Sequence, residues 1–260
     1  MDAAELAAEV ARKRNQLGID PDAPPDEVEV LNPFQARLAK LDAEGIENPK
    51  AIERERRERV EAQRAVVDHA AAALASFGRR YADATLDNFE PPNAAAVAAL
   101  ARVKEWAEQP IEQLGNVFLF GAVGTGKDHL IVGLVKRIYE RQYSEAFRFA
   151  ECEQLFADIR STYDRDSKRK ESEIVEPLVL APFLYLADVV PSHGTLKDYQ
   201  QSALSRIVDA RYRDLLPTWA TANVASRGDL DAAIGKRVSD RLIHGALVIK
   251  CNWPSYRKMG

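Results

Sequence analysis

The sequence of 260 residues predicts an α/β fold: a parallel five-stranded sheet between helices, preceded by a helical N-terminal region. Three observations predict it. Five apolar runs, at 116–120, 146–150, 182–188, 217–223 and 246–252, are nearly continuous rather than alternating, as strands covered on both faces must be. Stretches of helical period at 127–142, 151–163, 198–214 and 229–243 fall between them, the order of a parallel sheet with crossover helices. The first run also leads through a glycine-rich turn straight into a helix, which is how a phosphate-binding loop is built.

Ahead of the sheet, residues 2–16 place Leu6, Ala7 and Val10 on one helical face, and the proline- and acid-rich stretch 18–33 then interrupts the pattern. Residues 48–77 open on Asn48 and Pro49 and pass from a charged half to an alanine-rich half, the signature of a long helix. Its Glu and Arg residues recur at i, i+3 and i, i+4, which reads as a solvated face. His69 on this helix has no companion of ligand spacing. A further helix spans Ala94 to Glu108, and the domain boundary is expected at 78/79.

Composition narrows the function classes. With 46% hydrophobic residues the chain can build a sizeable core, so disorder is not the default. No run approaches the roughly 18 apolar residues of a membrane span, and the N-terminus is acidic and amphipathic, unlike a signal peptide; a cytoplasmic protein without membrane contact is expected. Cys152 and Cys251 are the only cysteines and lie far apart, which argues against a disulfide framework or a zinc cluster. Residues 1–110 hold 15 Lys and Arg against 21 Asp and Glu, whereas the rest hold 21 against 19. Any nucleic acid is therefore expected to meet local basic patches of the second part.

The turn is Gly121-Ala122-Val123-Gly124-Thr125-Gly126-Lys127, followed by Asp128 and His129. Its glycines permit close backbone approach to a polyphosphate, its amides and the following helix N-terminus point at one spot, and Lys127 supplies a point charge for the β and γ phosphates. ATP is the expected ligand. Asp128 stands where a Ser or Thr hydroxyl normally meets magnesium. A carboxylate there repels phosphate unless Mg2+ lies between them, so binding should be weaker or more dependent on the metal.

A strand ending in an acid should supply a further metal ligand, and the third run ends in Asp188; Asp128 and Asp188 are the candidate Mg2+ ligands. The next position, where an acid would orient the attacking water, is Val189. Valine cannot polarise water, so slow hydrolysis is expected. If the alignment slips by one, Asp188 takes the water-orienting role and Ala187 replaces the ligand. His193 is more simply a solvated loop residue than a substitute base. Asn223, at the end of the fourth run, can touch the γ-phosphate or the water. Arg237 and Arg241, spaced i, i+4, suit guanidinium forks offered to a neighbouring subunit's nucleotide.

The runs "GTGKDHL", "TANV", "GKRVSDRLIHGA" and "NWPSYRK", in that order, resemble the DnaC-type helicase loaders of the DnaC/IstB group of AAA+ ATPases. "RRYADATLDNFEPPN" is similar to the segment that precedes the ATPase core in that group, so the resemblance spans about residues 79–260. It implies a P-loop AAA+ core at 79–260 without a separate lid domain, and a helical region at 1–78 for a hexameric replicative helicase (DnaB-like). It also implies single-stranded DNA as a partner and a homo-oligomer joined through ATP interfaces, with Arg241 as finger in trans and Arg257 as a second sensor. The basic run from Arg160 to Lys170, with Tyr163 as a stacking platform, is the expected DNA contact. Two other functions remain on this fold: a transposition adaptor like IstB, and a nucleotide-bound scaffold that does not turn over.

Overall fold

A computed structural model describes residues 49–141, 143, 146–164, 166–191 and 195–256; the expected helix at 2–16, His193 and Arg257 lie outside them. The chain divides into two units, Met1–Arg59 and Val60–Gly260. In the first, the described part is the opening of helix α1 (Pro49–Ser76), where Arg54 and Glu58 form an exposed i, i+4 pair at 2.8 Å.

The second unit begins before the 78/79 boundary expected from sequence. Ala73 and Phe77, near and just after the end of α1, are buried with the sheet's aromatic residues; Phe77 lies 4.9 Å from Phe149 and 6.0 Å from Tyr185, centroid to centroid. One face of the alanine-rich half, Ala70, Ala73 and Leu74, thus packs on the core, where small side chains allow close approach, while Ala71, Ala72 and Ala75 stay exposed.

Five strands form one sheet: β1 (Val117–Gly121), β2 (Phe147–Glu151), β3 (Phe183–Ala187), β4 (Thr218–Ala222) and β5 (Leu247–Cys251). All neighbours are parallel, in the order β2-β3-β4-β1-β5. Each lies within the expected apolar run or one residue beyond it. Side chains alternate across the sheet: Val117 and Leu119 enter one core with α1, α2 (Ala94–Ala107) and α3 (Lys127–Glu140), while Phe118 enters the other. That second core is closed by α4 (Cys152–Ser161), α5 (Glu171–Val179), α6 (Asp198–Arg213), α7 (Arg227–Ile234) and α8 (Lys236–Ile243). Burial on both faces is why the runs carried no period-2 pattern.

Two helical details depart from the expectation. The segment after the basic run forms α5, which the pattern did not reveal because Pro177 lies inside it. The single helix expected at 229–243 is two, α7 and α8, broken at Gly235, whose φ of 83° belongs to the left-handed region open to glycine. The break turns α8 so that Val238 and Leu242 are buried while Arg237 and Arg241 share its other side.

Arg211, fully buried on α6, pins the entry to the sheet. Its guanidinium donates to the carbonyls of Leu178, Val179, Ala181 and Pro217 and to the Thr218 hydroxyl, and burial pushes its pKa down to about 10. These bonds fix where β3 and β4 start, and therefore where Asp188 and Asn223 end up. Among the described residues no helix is long and apolar enough to cross a membrane.

Candidate functional site

The interior strand β1, between β4 and β5, delivers the loop 121–127 to the C-terminal edge of the sheet, the position at which parallel α/β folds bind ligands. Gly126 sits at φ 86° as the cap of α3, and a Cβ there would lie 2.8 Å from the Phe89 ring and 3.2 Å from that of Tyr256. Glycine is required by both backbone and space. The loop borders a cavity of about 360 Å³, lined among others by Arg80, Tyr81, Phe89, Lys127, Asp188 and Asn223. That volume lies in the range of small-molecule sites.

Lys127 is buried at 5% exposure. Its ammonium donates to the carbonyls of Gly121 (3.1 Å) and Ala122 (2.9 Å) and to Asn223 Oδ1 (2.8 Å). The expected pair of loop lysine and strand-end asparagine is thus brought together across β1 and β4. Thr125, fully buried, donates its hydroxyl to the Ala122 carbonyl at 3.0 Å and so closes the loop on itself. Val123 stands exposed at its tip.

Asp128 points to the β3 side of the site, where both of its oxygens are engaged. The Tyr185 hydroxyl donates to Oδ1 at 2.7 Å and the Tyr81 hydroxyl to Oδ2 at 3.0 Å. Asp188, just past β3, also lines the cavity, and it adopts a left-handed φ of 51°. Burial, and next the Asp128 carboxylate, raise the pKa of Asp188 above its ordinary value, while Lys127 and Asn223 act in the opposite direction. The two acids therefore sense one another next to a single ammonium. Val189 turns away: it is fully buried in the second core, and its N–H donates to the Thr221 carbonyl at 2.9 Å.

His129, expected at the nucleotide, faces the cavity but holds the preceding segment instead. Its Nε2 lies 2.9 Å from the Thr85 carbonyl and 3.0 Å from Asn88 Oδ1, and its ring meets Phe89 edge-on at 5.4 Å. Arg237 and Arg241 are not brought into this cavity. They share Asp209 of α6, with Arg237 at 2.8 Å from one oxygen and Arg241 against the other, and the Arg241 guanidinium stands 5.4 Å over the Tyr212 ring. Tyr163 is 57% exposed, with its hydroxyl donating to Glu171 Oε2 at 2.8 Å and its ring edge-on to Tyr199.

Sequence reasoning missed the residues that clasp the loop from outside. The indole N–H of Trp253 donates to the Thr125 carbonyl at 2.7 Å, the Tyr256 amide donates to the Gly124 carbonyl at 2.9 Å, and the Tyr256 hydroxyl donates to the Glu90 carbonyl. The only available signal was their presence in "NWPSYRK". A Lys-anchored loop, two carboxylates and a polar strand end form a donor set that suits a polyphosphate with a hard divalent cation, since such a cation takes one or two carboxylates and completes its shell from phosphate and water.

A five-stranded parallel sheet in this order, with a phosphate loop after the interior strand β1, defines the AAA+ class of P-loop fold. Solved structures share that fold: an AMPPCP-bound DnaA from Aquifex aeolicus superposes with a TM-score of 0.51 over 64% of this chain and 49% of that one, at 21% identity. Within the class, the chain resembles the DnaC-type helicase loaders. The replicative helicase loader DnaC of Buchnera aphidicola is 24% identical over 179 residues, which are 68% of this chain and 71% of that protein. A crystal structure of a DnaC helicase loader matches with a TM-score of 0.57 at 26% identity, over 66% of this chain and all of that one. No protein-family model matches the chain.

Proposed function

We propose that this protein is an ATP-controlled loader that places a hexameric replicative helicase on single-stranded DNA during replication. The observation that carries the reading is the match of a helicase loader along its whole solved length, with the phosphate loop, strand-end acid and strand-end asparagine all in register with one cavity.

In this reading the amides of residues 122–127 and the Lys127 ammonium bind the β and γ phosphates. Asp188 would hold Mg2+, assisted by Asp128 through the lone pairs its two tyrosine bonds leave over. Bound magnesium would draw charge from the phosphates as a Lewis acid. Asn223 orients the γ-phosphate or the attacking water. Arg241, assisted by Arg237, reaches a neighbouring copy's nucleotide, so that ATP orders a homo-oligomer. Arg257 acts as second sensor, residues 1–78 meet the helicase, and Tyr163 with the basic run to Lys170 meets DNA. Hydrolysis is slow, because the position after Asp188 carries a buried valine.

The test is capture of tagged protein from its source cell with ATP and Mg2+, followed by reconstitution on single-stranded DNA with the helicase recovered. Nucleotide-dependent transfer of the ring to DNA supports the loader. Recovery of a transposase instead points to an adaptor of the IstB kind. Val189 favours one further reading, a nucleotide-bound scaffold: absence of single-turnover hydrolysis with DNA and helicase both present would establish it.

A further inference from the structure

The tyrosine contacts of Asp128 extend into a directed chain of hydrogen bonds. Tyr185 has a single phenolic proton, and its oxygen lies 2.7 Å from Asp128 Oδ1, which as a carboxylate only accepts. That proton therefore goes to Asp128. The Thr221 hydroxyl, 3.1 Å from the same phenol oxygen, must then donate to it, which leaves Thr221 Oγ1 to accept the Asp188 amide at 3.0 Å. Tyr185 and Thr221 are both fully buried, and water has no part in setting the direction.

The chain ends on a backbone group in an unusual conformation. Asp188 has φ 51°, in the left-handed region that Asp visits more readily than most residues other than glycine but that is still uncommon. Thr221 imposes it twice: its hydroxyl takes the Asp188 N–H, and its carbonyl takes the N–H of Val189 at 2.9 Å. The strand thus turns sharply at Asp188, aiming the carboxylate into the cavity and the valine into the core.

We infer that Tyr185 and Thr221 are positioning residues for the metal-side acid Asp188, and that Asp128 is the anchor of this chain of bonds. Placing an acid where a hydroxyl is usual then has a structural purpose: a carboxylate accepts the tyrosine proton without offering a competing donor. The inference rests on the reading of Asp188 as the magnesium-side acid.

Equilibrium titration of the full chain with a fluorescent ATP analogue, in Mg2+ and in EDTA, tests it. Tyr185→Phe and Thr221→Val should each cut the affinity gained from Mg2+ by about tenfold, as removal of an outer support of a ligand does, and leave the affinity in EDTA intact. Asp188→Asn should reproduce that pattern. The double variant should lose no more than either single one, because both changes act through the one Thr221 hydroxyl that takes the Asp188 amide. Equal losses with and without metal would mean a merely structural role and overturn the inference, as would additive losses or an undiminished metal effect. A wild-type chain that binds the analogue in EDTA but gains nothing from Mg2+ refutes the reading of Asp188 itself, and one that binds in neither condition refutes the nucleotide site. Thermal melts of each variant separate loss of fold from loss of aim.

Discussion

The indole N–H of Trp253 donates to the carbonyl of Thr125 at 2.7 Å, inside the protein, so the segment after the last strand holds the phosphate loop from behind. The Tyr256 amide does the same at Gly124. A loop whose glycines leave it intrinsically pliable is thus held open from its outer side.

Trp253→Phe keeps most of the apolar contact and removes the donor, leaving a buried carbonyl unpaired. It should cost about 1–3 kcal/mol of stability and weaken nucleotide binding, with a larger loss in affinity than Tyr256→Phe, which spares the amide. Chemical denaturation alongside nucleotide titration measures both.

Gly126→Ala should abolish nucleotide binding while the rest of the domain folds. The new methyl would meet the Phe89 ring at 2.8 Å and force a left-handed residue to carry a Cβ, at a cost of about 1–3 kcal/mol. The companion change Phe89→Ala removes that clash but not the backbone strain, and emptying the space of a buried ring costs about 3 kcal/mol or more of its own, so it should not restore stability.

Asp188 should trade stability for function in a pH-dependent way. Its folded pKa is raised above 3.8, chiefly by burial and then by Asp128. The folded chain therefore holds more protons than the unfolded one between 3.8 and the raised value, and stability falls as pH rises through that window. At neutral pH the charge is a liability, so Asp188→Asn, tolerated at positive φ, should raise the melting temperature modestly, and the gain should shrink in acid. Binding that depends on Mg2+ should run the other way and fade as pH falls through the same window. Calorimetry and nucleotide titration over a pH series check the two opposite slopes.

Val189→Glu should not restore hydrolysis. The side chain is fully buried in the second core, so a carboxylate there loses its hydration and should destabilise the fold by about 3 kcal/mol or more. A stable variant with accelerated turnover would show instead that the strand end can rotate to face the site.

How much of this was legible depended on the range of the interactions. The strands and the loop were readable because both are local: buried parallel strands write themselves as apolar runs, and a phosphate loop needs its glycines and lysine at fixed spacing. Helix α5 was hidden by Pro177, and the α7–α8 break by a glycine whose left-handed turn no periodicity records. The burial of Arg211 carries no local signal either, because its partners are backbone carbonyls brought together only where β3 and β4 begin.

By itself the sequence determined the class of fold and the place of the glycine-rich loop, since each is a matter of residue type in a local pattern. Only the tertiary structure decided what Asp128 touches. Its partners Tyr81 and Tyr185 lie 47 and 57 positions away and are delivered by the short turn Arg79–Tyr81 and by strand β3, which β4 separates from β1. Hydrogen bonds between such distant positions exist only once strand order has set them side by side, and strand order is fixed by the burial of whole faces, which no short stretch of sequence encodes.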